Sequence, residues 1–164
     1  MRLITLDLGS GGASVQTLST LAAEFPVVPP ALLGRRCRYA YAAVFDTESI
    51  TPDFRGLAKL DLTAADPGHA VVGAIEYGPS RRGGEAAFVP RAGSSGEEDD
   101  GWLLSLVHDE VAGRSELAVF DAASMSSKPV ARVALRRHVP HGFHCRWVSS
   151  DELVEIERRQ EQEE

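Results

Sequence analysis

The chain has 164 residues, 43% of them hydrophobic and 25% charged, and a net charge of −7; it can bury a domain-sized core, which excludes wholesale disorder. Basic residues gather only into short pairs such as Arg35-Arg36, Arg81-Arg82 and Arg136-Arg137, too few to attract a polyphosphate, so nucleic acid is not an expected partner. No run approaches the roughly 18 apolar residues of a transmembrane helix, and the opening MRLITLDLGSGG has the character of neither a signal peptide nor a transit peptide.

In chain order, the apolar or alternating runs are LITLD (3–7), CRYAYAAVF (37–45), GLAKLDL (56–62), EAAFVPR (85–91), WLLSLVHD (102–109), SELAVFD (115–121) and PVARVAL (129–135). Gly, Pro, Asp and Ser punctuate them, the pattern of antiparallel strands joined by turns. Only SSDELVEIERRQEQEE (149–164) reads as helix, with Ser150 or Asp151 as its cap. The expected fold is all-β over residues 1–155, followed by a charged tail at 156–164. Cys37 and Cys145 lie far apart with no paired spacing and are expected to be free, buried thiols of a reducing compartment.

LITLD, LAKLD (57–61) and LAVFD (117–121) are three apolar strands that each close on Asp, starting 54 and then 60 residues apart. A period of that length with several strands inside it suggests blades of a β-propeller, two to three of them in this chain. Two or three blades leave their ends unpaired, so the chain is expected to be part of something larger. A second series keeps the same period. Glu24, Glu85 and His144 are 61 and then 59 residues apart, each beside a Phe in a short apolar segment. Equivalent positions of successive blades converge on the propeller axis, where one imidazole and two carboxylates suit a metal centre: a ligating imidazole commonly donates its other N–H to a carboxylate. The same residues would also serve as ordinary strand-end carboxylates.

In HVPHGFHCRWV (138–148) three histidines recur every third residue, but Pro140 and Gly142 exclude a helix. On an extended chain His141 faces away from His138 and His144, so at most two can serve one site. Glu97, Glu98, Asp99 and Asp100 lack the ligand spacing of a calcium loop and read as a solvated turn. Neither SGG nor RRGGE continues into a phosphate-binding motif, and Trp102 and Trp147 read as core.

FVPR (88–91), EEDDGW (97–102), VHDEVAGRS (107–115), DAASM (121–125) and VPHGFH (139–144), together with EFPVVPP and GLAKLDL upstream, strongly resemble the C-terminal part of the plant-type carotenoid cleavage dioxygenases. The resemblance implies a seven-bladed propeller with Fe(II) on its axis, held by four histidines, three of them oriented by glutamates. Carried over, His144 is one iron ligand, while Glu85 and Glu24 are carboxylates that orient ligating imidazoles. His138, His141, His69 and His108 are not ligands by this match, and the other three iron histidines lie N-terminal to the region it covers. The implied reaction is cleavage of one double bond of a carotenoid or apocarotenoid by O2, giving two carbonyl products. The motifs lean toward enzymes that cut at the 9,10 and 9′,10′ positions, although relatives acting on epoxycarotenoids share them. The family implies a plastid or cytoplasmic location and allows peripheral membrane contact. The alternatives are a truncated, catalytically inactive propeller piece without three of the four histidines, and a non-enzymatic interaction or scaffold protein.

Overall fold

A computed structural model describes all residues except 52, 94, 95, 141–143 and 164. Strands β1 (Arg2–Leu6) and β2 (Ala13–Thr17) form a two-stranded antiparallel sheet. Strands β3 (Ala23–Val27), β4 (Tyr39–Phe45), β5 (Phe54–Asp61) and β6 (Val71–Glu76) follow as a four-stranded antiparallel meander. In the second large sheet, β7 (Arg81–Arg82) and β8 (Ala86–Pro90) share one edge of β9 (Gly101–Asp109), and β10 (Arg114–Asp121) and β11 (Ala131–Ala134) complete it. The order is that of two four-stranded blades preceded by two strands of a third. The exposed helix α1 (Ser150–Glu163) ends the chain. Among the described residues no helix is long and apolar enough to cross a membrane.

The Asp repeat has a structural cause. LAKLD and LAVFD are β5 and β10, each flanked by the last strand of its sheet, β6 or β11, and LITLD is β1. Each closing Asp folds back on the chain just after it. Asp7 Oδ1 accepts from Gly9 N at 2.9 Å, Asp61 Oδ1 from Thr63 N at 2.9 Å, and Asp121 Oδ1 from Ser124 N at 2.7 Å. A carboxylate that caps its own turn in this way marks where each strand must stop. The hydrogen bonds also favour its charged form. Ser10 at Asp7, Thr63 at Asp61 and Ser124 at Asp121 hold all three carboxyls below the usual range.

The core lies between the two large sheets: Tyr41, Leu57, Ile75, Leu103, Val107 and Phe120 are nearly inaccessible. Strand β9 obeys the two-residue period, with Gly101, Leu103, Ser105 and Val107 inward. Gly101 belongs to this packing, because a Cβ there would meet the Phe88 ring and lie 2.7 Å from Val89 O.

The acidic run is not a solvated turn. Glu98 Oε2 accepts from Arg38 N at 2.7 Å and Tyr39 N at 3.2 Å, which fixes the start of β4. Asp99 pairs at 2.5 Å with Lys59, whose side chain is 5% exposed in the middle of β5. The ammonium also lies over the Tyr39 ring and donates to Ala122 O at 3.2 Å. Asp100 holds Arg91 at 2.7 Å, and Arg91 in turn reaches Asp121 and stacks on Trp102. The loop before β9 therefore ties the second sheet to the first, and only Glu97 of the four is fully exposed. Trp147 is 48% exposed rather than core, and of the two free cysteines Cys37 is half-buried and Cys145 exposed.

Candidate metal centre

Glu85 occupies the break between β7 and β8. The preceding Gly83 makes close approach possible: its N donates to Phe54 O at 2.9 Å, and a Cβ would lie 2.7 Å from Tyr77 Cζ. This leaves Glu85 just before β8, which shares the edge of β9 with β7, with its side chain 12% exposed. Glu24 sits on β3, the first strand of the preceding sheet, and is exposed. A register shift between Glu24 and Val27 accompanies Phe25 at φ 55°, a bulge that accommodates Pro26 in an edge strand.

The chain after β11 brings the third residue in. Glu85 Oε2 accepts from Cys145 N at 2.8 Å and faces His144 Nδ1 at 3.3 Å. Cys145 Sγ donates to Glu85 O at 3.4 Å. The Phe25 ring meets the His144 ring edge-on, with centroids 5.1 Å apart. An Nδ1 that faces a carboxylate is placed to donate its N–H there, and in that tautomer the Nε2 lone pair is open. The His144 side chain is 76% exposed, so that nitrogen is not walled off by this chain. Although Cys145 is exposed as a residue, partial desolvation by the protein around its Sγ, then the Glu85 charge, pushes the thiol up. The neighbour of His144 is thereby kept neutral and a poor competitor for a cation.

Glu85 and His144, 59 residues apart, are thus in contact, whereas Glu24 pairs with Ala43 through the β3–β4 ladder and its exposed side chain meets neither of them. His141 lies outside the described residues, as do Gly142 and Phe143. His69 is exposed and turned to Asp66 at 2.9 Å. His138 Nδ1 contacts His108 Nδ1 at 3.2 Å, and His108 Nδ1 reaches Ser115 Oγ at 3.1 Å. These two partners were not read as site residues. The available signal was the register of the β9–β10 hairpin, which sets Ser115 opposite His108. A cleft of about 70 Å³ is lined by Glu85, His108, Ser115, His144 and Cys145 among others. It has room for a couple of waters, at roughly 30 Å³ each, and none for a C40 polyene. Among the described residues no group of three or more His, Cys, Asp and Glu is disposed to hold a metal ion.

Residues 1–149 match the family model described as retinal pigment epithelial membrane protein. A carotenoid 9,10(9′,10′)-cleavage dioxygenase of Crocus sativus is 41% identical over 156 residues, which are 90% of this chain and 28% of that protein. A chromoplastic zeaxanthin 7,8(7′,8′)-cleavage dioxygenase of the same organism is 40% identical over 94% of this chain and 42% of its own length. Among solved structures, a variant of the Synechocystis apocarotenoid oxygenase superposes with a TM-score of 0.74 at 31% identity, covering 87% of this chain and 29% of that one. The chain therefore spans between 28% and 42% of the length of these relatives.

Proposed function

Because the chain belongs to the retinal pigment epithelial membrane protein family, that of the carotenoid cleavage dioxygenases, we propose that it contributes part of an Fe(II) centre that cleaves a carotenoid or apocarotenoid double bond with O2. His144 is a ligand through Nε2 in this reading, and Glu85 holds its Nδ1 proton. The residues present suit one ligand and its orienting carboxylate; the remaining ligands are assigned to polypeptide outside these residues. Glu24, whose side chain is exposed on β3, is assigned to orient one of those. Fe(II), when bound, supplies the redox chemistry with O2 that a hydrocarbon double bond needs. The chain's own residues orient the ligand. Glu85 fixes the imidazole tautomer from a nearly buried position, the Cys145 N–H keeps that carboxylate in place, and the Phe25 edge limits rotation of the ring.

The observation that carries this reading is the Glu85 carboxylate shared between His144 Nδ1 at 3.3 Å and Cys145 N at 2.8 Å. Cleavage between two carbonyl products is proposed from the relatives' names, with 9,10(9′,10′) positions as the specific expectation. The chromoplastic relative supports a plastid location. To test the reading, residues 1–164 are joined to the remaining blades of a plant relative and supplied with a C40 carotenoid and with an apocarotenal. Aldehyde products should appear, and Glu85→Gln should lower their yield by roughly 10–100-fold while His144 remains in place. Equal yields from Glu85→Gln and the unmodified protein would remove Glu85 from its proposed role.

A further inference from the structure

The arm that carries His144 is fastened at a second place, 5–6 residues before the ligand. Ser115, 2% exposed on β10, accepts from Val139 N at 3.0 Å through its Oγ. The same Oγ stands 3.1 Å from His108 Nδ1, and His108 Nδ1 stands 3.2 Å from His138 Nδ1, the two rings meeting edge to face. The Val139 N–H uses one Oγ lone pair, and the other lone pair and the hydroxyl hydrogen are left for the hydrogen bond with His108 Nδ1. The single in-plane position of that nitrogen serves Ser115, and His138 packs its ring edge to face against His108. Two consecutive residues of the arm, His138 and Val139, are in this way tied to one cross-strand pair of the β9–β10 hairpin.

We propose that Ser115 and His108 are positioning residues for His144: they clamp the arm on the near side of the undescribed residues 141–143, as Glu85 clamps it on the far side through Cys145 N. The VHDEVAGRS segment, whose His and Ser are these two residues, then serves the centre without touching a metal. The alternative use of Ser115, as a hydroxyl buried for packing alone, leaves the Val139 and His108 contacts without consequence for residue 144. For its consequence the inference rests on His144 being a ligand, but the clamp itself is tested on the metal-free chain, so the two can fail separately.

In the full 164-residue chain the amide exchange of Cys145 and the imidazole ¹⁵N spectrum of His144 are measured for wild type, Ser115→Ala, Ser115→Thr and His138→Ala. The clamp predicts that Ser115→Ala speeds Cys145 exchange by about tenfold, the weight of one or two hydrogen bonds. The single Nδ1–H tautomer of His144 should then average. Ser115→Thr, which keeps the hydroxyl, restores both, and Leu103 and Val107 amides stay protected throughout. His138→Ala removes only an exposed partner and should speed Cys145 exchange about threefold. Unchanged Cys145 exchange and an unchanged His144 spectrum in both alanine variants overturn the proposal. So does loss of protection that extends equally to Leu103, or a Thr variant that behaves like Ala.

Discussion

Strands β1 and β5 are copies of one pattern, LITLD and LAKLD, yet they differ in nearly every physical respect. In β5, Leu57, Ala58 and Leu60 are no more than 1% exposed and even Lys59 is only 4% exposed. In β1, Ile4 and Leu6 are 63% and 65% exposed, and Val15, opposite Ile4 on β2, is 61% exposed. Both end in an Asp turn with a depressed carboxyl pKa. The local signal thus sets the strand and its stop, while burial comes from neighbours: β5 has a strand on each side and a second sheet against its face, whereas β1 has only β2. A pattern of this kind specifies a blade strand without itself supplying a core.

The comparison sharpens first at its buried side. Leu57→Ala should lower the unfolding free energy by about 2–5 kcal/mol, the range for truncating a fully buried leucine. Urea denaturation followed by Trp fluorescence measures it. A loss below about 1 kcal/mol would mean that the two large sheets do not share one core.

Next comes the staple between those sheets. Asp99→Ala strands the Lys59 ammonium inside β5 and should cost about 1–3 kcal/mol. Adding Lys59→Met should recover much of that loss, since an apolar side chain needs no partner there. A double variant weaker than the single one would show that the pair is not what makes the aspartate necessary.

A smaller effect comes from the turns. Asp61 and Asp121 have folded pKa values below their unfolded ones. Their stabilisation is therefore fully present above the unfolded value of about 3.9 and is lost as pH falls through the folded value. Stability should drop below about pH 4, and Asp61→Asn should flatten that slope. A pH profile unaffected by Asp61→Asn would separate the turn hydrogen bonds from stability.

The smallest change is expected at the exposed copy. Leu6→Ala should alter stability by less than about 0.5 kcal/mol, as for surface positions. A larger loss would show that the β1–β2 face is covered in solution, for example by a second copy, which sedimentation would reveal.

Strand positions were legible where alternation and apolar runs agree, as in β4, β5, β9 and β10. Four strands were not, one of them β7, which is only the pair Arg81-Arg82. In β2, ASVQT is exposed throughout; β3, AEFPV, contains a proline that argues against a strand; β6, VVGAIE, is mostly exposed and carries a glycine. Each is held by ladder hydrogen bonds to a neighbour rather than by its own pattern. The acidic loop was misread for a related reason. Its partners Arg38 and Lys59 lie 60 and 40 residues away, so four adjacent carboxylates look solvated until the sheets are stacked. The spacing of Glu85 and His144 was visible because it is one blade long. The His108, Ser115 and His138 contacts depend on hairpin register and on the path of the arm, neither of which composition or period encodes.

The central claim is that His144, and not another histidine of HVPHGFH, ligates iron while Glu85 orients it. The most direct measurement is iron stoichiometry in purified protein in which this chain is joined to the remaining blades of a plant relative, compared among wild type, His144→Ala and His141→Ala. His144→Ala should leave the protein folded and nearly iron-free, and His141→Ala should retain iron at the wild-type level. Iron retained by His144→Ala and lost from His141→Ala would contradict the assignment and move the ligand three residues along the arm.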